Sequence, residues 1–383
     1  VELITKPRFS VGVTAIKTAI SQTDERRVLI IGGGVVGLSL AWELAGRDAQ
    51  VAILESGTIG RGASWAGAGI LPPAPRVNLV DPYDQLLSLS HELHATWANE
   101  LREITDIDTG FRKCGGLYLA TSRGEYATLT ANEGWWQEHG IGFEKLDSEQ
   151  LGDLDPQHRT PALKVKAAWL LPDEWQLRNP RHLQALLAAC EREGVEIHSG
   201  HKATHIEIID ERVEHVETED GKRWMADDIC ICAGAWARMF CDQLGIPNGL
   251  MPVRGQMLLY KFDRPAFGHI INEGNRYLVP RDDGYLLAGS VEEEVGYRCE
   301  TTEAGLGQIR QWAEGVFPEL KSHQVVRAWA GLRPGSFDGL PYIGRLPNLE
   351  NAYIAAGHFR SGLHLSCGTA ACLAGLIIDG QCQ

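Results

Sequence analysis

The chain lacks any apolar run of the roughly 18–20 residues that a membrane-crossing helix requires. It also lacks CxxC pairs and Cys/His ligand spacings, although it has nine cysteines, at 114, 190, 230, 232, 241, 299, 367, 372 and 382. That scatter argues against a structural metal or a disulfide framework and fits reduced packing cysteines in a cytoplasmic protein. Cys230 and Cys232 stand two apart in an apolar run, so both face one side of a buried strand. Positive charge is short as well. With 36 basic against 50 acidic residues the net charge is −14, which speaks against nucleic acid or a membrane surface as partner. No Ser-His-Asp set and no paired carboxylates stand out. His91 and His94 share a helix with no further ligand nearby and read as solvated histidines.

At 383 residues, with 44% hydrophobic and 22% charged content, the composition is that of an ordinary globular protein, long enough for two domains. Residues 1–26 read as a loosely ordered arm. Its apolar portion, Val11 to Ile20, is interrupted by Lys17 and has no small-residue cleavage site, unlike a signal peptide.

What the sequence does hold is a glycine turn between two strands. Gly32-Gly33-Gly34-Val35-Val36-Gly37 follows the apolar run Val28–Ile31, and Glu55 closes a second run, Val51–Leu54. Gly32 permits the tight turn, Gly34 lets backbone approach a pyrophosphate, and Gly37 lets the helix pack close to the strand. Glu55 stands where an acid accepts hydrogen bonds from both ribose hydroxyls. Order and spacing indicate a dinucleotide, NAD or FAD, over a glycine turn needed only for packing. The glycine-rich stretch Ser56–Ile70 indicates something bulky lying against its backbone.

Further along, Asp84–Thr105 has helical periodicity and Gly115–Ala120 reads as a strand. The middle, to about Leu171, reads as short helices and turns with little chemistry. A helix from Asn179 and strands at 195–198, 206–209 and 212–218 follow. Asp227–Trp236 is a buried strand ending in a small-residue turn at Gly234, placed as at the carboxyl edge of a doubly wound sheet. From Pro252 to Val291 the pattern becomes antiparallel, suited to a sheet that covers a cofactor. Strand, glycine turn and helix return over Asn351–Ile378. The expected fold is α/β: a Rossmann-like, glutathione-reductase-like, discontinuous FAD-binding domain with an inserted α+β antiparallel-sheet substrate domain. Its boundaries are expected at 27–90, 172–248 and 330–383 for the cofactor, and 91–171 and 249–329 for the substrate.

Two late motifs, Ala330-Gly331-Leu332-Arg333-Pro334-Gly335 through Gly344 and Gly357-His358-Phe359-Arg360-Ser361-Gly362, closely resemble those of bacterial glycine oxidases of thiamine biosynthesis, in the D-amino-acid oxidase family. The segments 55–70, 252–257 and 277–281 match too, and the resemblance spans roughly 27–378. It implies non-covalent FAD, since residues 300–366 contain no cysteine for the covalent link some relatives make. It places the pyrophosphate at Gly32, Gly34, Val35, Val36 and Gly37 and the ribose at Glu55 and Ser56. Ala63, Ser64, Ala68, Gly69 and Ile70 would line the flavin, Ala203 the adenine side, with Gly234 at the crevice. His358, Phe359, Arg360, Ser361, Gly362, Leu363 and His364 would pass beside the ring; relatives are usually aliphatic where this chain has His364. Arg333 would clamp a substrate carboxylate bidentately, supported by Arg360 and by a phenolic hydrogen bond from Tyr277. Glu292-Glu293-Glu294 reads as a solvated turn.

The implied chemistry is hydride transfer from a positioned amine, with no residue acting as acid or base and no metal. The implied products are imine, then glyoxylate and ammonia, and hydrogen peroxide from oxygen, with the imine feeding thiazole synthesis. A D-amino-acid or sarcosine oxidase, a quinone-linked dehydrogenase and a flavin module without turnover are the alternatives. The resemblance also suggests a homotetramer.

Overall fold

The computed structural model describes residues 26–153 and 165–382, so the expected arm, but for Arg26, lies outside the described residues. Its centre is a six-stranded sheet, in spatial order Tyr342–Arg345, Ala352–Ala356, Asp228–Ile231, Arg27–Ile31, Gln50–Glu55 and Glu196–Ser199. Every pairing in it is parallel except that of the edge strand Tyr342–Arg345. Val28, Ile30 and Ile53 are buried on one face with the helices Val35–Ala45, Asn179–Arg192 and Ser366–Asp379; Leu29, Ile31 and Leu54 are buried on the other. Burial on both faces is why these strands read as continuous apolar runs rather than alternating ones.

An eight-stranded sheet stands over this layer, in the order Val325–Gly335, Met251–Lys261, Tyr285–Gly289, Arg276–Pro280, Ile270–Glu273, Gly116–Ala120, Ala167–Leu171 and Glu144–Leu146. It is antiparallel except between Ile270–Glu273 and Gly116–Ala120. The helix Glu303–Val316 covers its outer face, with Ile309, Trp312 and Val316 buried against Leu258, Leu278 and Leu286. The expected α/β architecture with a covering antiparallel sheet is therefore present.

Two expectations need correcting. The middle segment is not mainly short helices and turns: it holds the 16-residue helix Arg123–Glu138, begun by a Ser122–Glu125 capping box, and two strands of the covering sheet, Glu144–Leu146 and Ala167–Leu171. Only Trp136 of that helix is buried, so its apolar periodicity is faint. The boundaries expected at 90/91 and 329/330 fall inside the helix Pro82–Thr105 and the strand Val325–Gly335. The first of these packs on the Ser366–Asp379 and Asn179–Arg192 helices of the parallel sheet. Among the described residues no disulfide joins the cysteines, and no helix is long and apolar enough to cross a membrane.

Candidate active site

Where the carboxyl ends of the parallel strands meet the covering sheet lies a cavity of about 940 Å3, large even among small-molecule sites. Gly32 enters it at φ +112°, where an added Cβ would lie 2.4 Å from the Cys232 carbonyl. Gly37 sits behind the wall instead. A Cβ there would come within 2.0 Å of the Gly32 carbonyl, so its glycine serves the helix–strand contact. The helix that starts at Val35 has no cap from Gly34 and no acid in its first turn; its Val35 amide donates to Ser64 Oγ at 2.9 Å. Gly34, Val35 and Val36 thus present the positive end of a helix to the cavity, a ready anion site. Glu55 stands at the rim beside Ser56. Its Oε2 accepts the Gly33 amide at 2.9 Å and its Oε1 accepts the Gly57 amide at 2.8 Å. Ala203 and Gly234 line the same end, joined by Lys202, Thr204 and Gln243, which the motifs did not reveal.

The next stretch of wall is small and rigid. Ala63, Ser64, Ala68, Gly69 and Ile70 line it. Asn179 Nδ2 donates to the Ser64 carbonyl at 2.7 Å, and Arg281 Nη2 donates to the Ala68 carbonyl at 2.6 Å. Gly69 has φ +75° and no room for a Cβ, which would lie 2.0 Å from the Leu177 carbonyl. Facing this wall is the segment His358–His364, whose seven residues all line the cavity. The His358 ring is buried, pairs with Thr369 Oγ1 at 3.1 Å and is pushed down to about 4 by desolvation, so it is neutral at pH 7.

His91 and His94 are not solvated, as the sequence suggested; both are buried. The helix Pro82–Thr105 is covered on two sides, and its histidine face meets the His358–His364 segment. His91 Nδ1 lies 3.3 Å from His364 Nε2, and His94 Nε2 lies 2.9 Å from the His364 carbonyl. Burial lowers both His94, to about 4, and His364. The His94 and His364 imidazoles in this corner are therefore neutral.

The remaining wall is one face of the covering sheet. Residues opposite one another on paired strands point the same way. A single rank of such partners runs Tyr118, Asn272, Tyr277, Gly289, Met257, Trp329 across six strands. Tyr118, Asn272, Tyr277 and Met257 of that rank line the cavity. Gly331 and Arg333 continue the same face along Val325–Gly335. Arg333 is half-buried and leans over Gly255, donating to Ser290 Oγ at 2.6 Å and to the Val291 carbonyl at 3.1 Å. It has no acidic partner among the described residues. Tyr277 donates to Met257 Sδ at 3.4 Å, a weak acceptor that a better one would displace. Arg360 differs from Arg333. It is engaged by Glu292 Oε1 at 3.1 Å and Asn275 Oδ1 at 2.8 Å. Glu292 and Glu293 thus form ion pairs rather than a simply solvated turn, the second with Arg254 at 2.9 Å.

Sequence reasoning missed Tyr118, Asn272 and, just behind them, Glu174. Glu174 is fully buried, accepts from Tyr118 Oη at 2.5 Å and Asn272 Nδ2 at 3.0 Å, and sits where a Cβ on Gly116 would lie 2.3 Å from its Cδ. The double glycine before Tyr118 was the available signal.

A helix N-terminus after a glycine turn, a rim acid and a broad small-residue wall around one large cavity point to the class: a dinucleotide-dependent oxidoreductase. Residues 27–376 match the family model for FAD dependent oxidoreductases (DAO), and the chain belongs to that family. Among its relatives, glycine oxidase of Pseudomonas putida is 32% identical over 342 residues, 89% of this chain and 91% of that one. Glycine oxidase of Geobacillus kaustophilus is 30% identical over 359 residues, 93% of each chain. A crystal structure of glycine oxidase from that organism superposes with a TM-score of 0.86, covering 92% of this chain and 95% of that one. The bifunctional protein ThiO/ThiG of Synechocystis is 31% identical over 92% of this chain, which spans 51% of it. The protein is thus an FAD-dependent oxidoreductase, and the small-residue wall and helix N-terminus fit that cofactor.

Proposed function

We propose that this protein oxidises a small amino acid, glycine first, yielding imine and then glyoxylate and ammonia, with hydrogen peroxide from oxygen. The observation that carries this reading is Arg333, a half-buried guanidinium on the cavity wall with hydrogen bonds only to a hydroxyl and a carbonyl. A planar fork without an anion is matched by a carboxylate. FAD, when bound, supplies the electron acceptor for the hydride leaving Cα. The protein's own part is to position that carbon. Arg333 fixes the carboxylate, Tyr277 turns from Met257 to donate to it, and the alanine and glycine wall leaves the ring plane free. In this reading Gly32, Gly34, Val35 and Val36 hold the pyrophosphate, Glu55 and Ser56 the ribose, and Ala203 the adenine side. Arg360, tied to Glu292, closes the far side of the pocket. The one cysteine of the cavity wall, Cys232, lies at the glycine turn, which supports non-covalent attachment. Relatives named for a ThiO/ThiG fusion support a role in thiazole synthesis, and a homotetramer is the expected assembly.

The test is peroxide release by the purified yellow protein with glycine, sarcosine, D-alanine and D-proline. Glycine should give the highest kcat/KM; a clear preference for one of the others reassigns the substrate. Arg333→Ala should keep the flavin and lose about 2–5 kcal/mol of substrate binding. Unchanged glycine kinetics in that variant would remove Arg333 from the site.

A further inference from the structure

The proposed reaction leaves one requirement unmet. An amino acid arrives with its amine protonated, and hydride leaves Cα only once the nitrogen lone pair is free, yet the motif residues include no proton acceptor. One group on the cavity wall fits that need. Tyr118 shares its rank with Asn272 and Tyr277, and its hydroxyl is held by a carboxylate with no exposure to water. That carboxylate has a built seat: Gly116 yields the space for Glu174, Asn272 Nδ2 holds Oε1, and Tyr118 Oη holds Oε2.

We propose that Tyr118, backed by Glu174, takes the ammonium proton of the substrate and fixes the amine end of the pocket opposite Arg333. This rests on the amino-acid oxidase reading above and extends it. The substrate N–H bond breaks as an O–H bond forms at Tyr118 Oη, and the phenol's own proton passes to Glu174 Oε2. The amine keeps the electron pair, the carboxylate becomes a carboxylic acid, and its proton returns to solvent when product leaves. No electrons are exchanged with the protein.

The surroundings suit the step. Burial raises Glu174 to about 7 against the pull of Tyr118 and Asn272, so it changes state in the working range of a general base. Burial and Glu174 raise the Tyr118 phenol well above its usual value, so it acts as a relay and holds no charge. Arg360 is the cation that faces Tyr118, and it is already balanced by Glu292. Cys114 lies beside the Glu174 backbone as a protonated thiol, raised chiefly by burial. Asp173, next in the chain, is turned away to Arg76 and His91 and carries its charge elsewhere.

Glu174→Gln and Tyr118→Phe test this in the holoenzyme. Three readouts are needed: the pH profile of kcat/KM for glycine, the Kd of acetate, and the infrared titration of the resting protein. Acetate has the carboxylate without the amine. In the unaltered protein kcat/KM should rise through about pH 7 as Glu174 ionises, with a matching loss of a protonated-carboxyl band. Glu174→Gln should lose that band and that limb, with kcat/KM down about 100-fold at neutral pH, while acetate binds as before. Tyr118→Phe should show the same kinetic loss and keep a titrating carboxyl. An unchanged acid limb in either variant, or no carboxyl titrating between about pH 6 and 8 in the parent, overturns the proposal. Should the parent bind no acetate and oxidise no amino acid, the amino-acid oxidase reading itself fails. That outcome differs from a parent that binds acetate normally while the variants match it in every profile.

Discussion

Gly255→Ala separates the substrate grip from the rest of the fold. The added Cβ would lie 2.4 Å from both Arg333 Nη atoms and 2.5 Å from Cζ, about 1 Å inside ordinary contact. Gly255 lies within the strand Met251–Lys261 and outside the positive-φ region, so the backbone accepts alanine. The obstacle is the far end of a flexible side chain, which moves rather than unfolding the sheet. Stability should therefore change by no more than about 1 kcal/mol, as for most substitutions that neither empty nor strain a core. The guanidinium, however, shifts by about an ångström from its contacts with Ser290 and Val291. A displacement of that size at a positioning group costs about 100-fold in rate, equivalent to about 2.7 kcal/mol of transition-state binding. Steady-state peroxide release should show kcat/KM for glycine down by that factor, and the acetate Kd should rise in step. Flavin content and the melting temperature should stay those of the parent. Parent-like kinetics would refute the placement of Arg333 as the clamp, since the clash cannot be avoided without moving it.

Two further outcomes follow from buried charge. The Glu174 carboxyl titrates near 7 when folded and near 4.5 in the open chain. Its contribution to stability is thus complete below about 4.5 and is lost as pH rises through about 7, a difference of about 3 kcal/mol. Glu174→Gln should gain on the parent by up to that amount between about pH 5 and 8 in urea unfolding; parallel curves would contradict the buried ionisation. Arg281 donates to the Gln176 side chain and to the Leu177 and Ala68 carbonyls while buried, which lowers it to about 9. Arg281→Leu strands those acceptors and should cost about 3 kcal/mol, with FAD binding weakened as the Ala68 loop loosens. Full stability with intact flavin affinity would show that the loop holds itself.

What could be read from the chain depended on how near in sequence the meeting partners lie. The glycine turn and Glu55 form one local unit, so spacing alone exposed them, and the late arginine motifs carry their own turns. Tyr118 and Glu174 lie 56 residues apart and meet only because two strands and a turn bring them together. The double glycine before Tyr118 is the one local sign, and Glu174 has none. His91 and His94 were misread for a related reason: the surface that buries them arrives 273 and 270 residues later, with His364. The helix Arg123–Glu138 escaped notice because a helix that buries one tryptophan has almost no apolar stripe. Its capping box was the better sign. Arg360 was recognisable as a site residue, but its bond to Glu292 joins loops that no periodicity connects.

The order of strands in the parallel sheet has a consequence for how the protein is made. Arg27–Ile31 gains Gln50–Glu55 as a neighbour almost at once. Its other neighbour, Asp228–Ile231, follows some 200 residues later, and the strand beyond that, Ala352–Ala356, follows later still. At a synthesis rate of about 5–20 residues per second, the glycine turn leaves the ribosome roughly 15 to 60 seconds before Tyr353. Throughout that interval the apolar edge of a half-built sheet stands open and the wall at His358–His364 does not exist. Cofactor capture is therefore among the last events in the molecule's assembly.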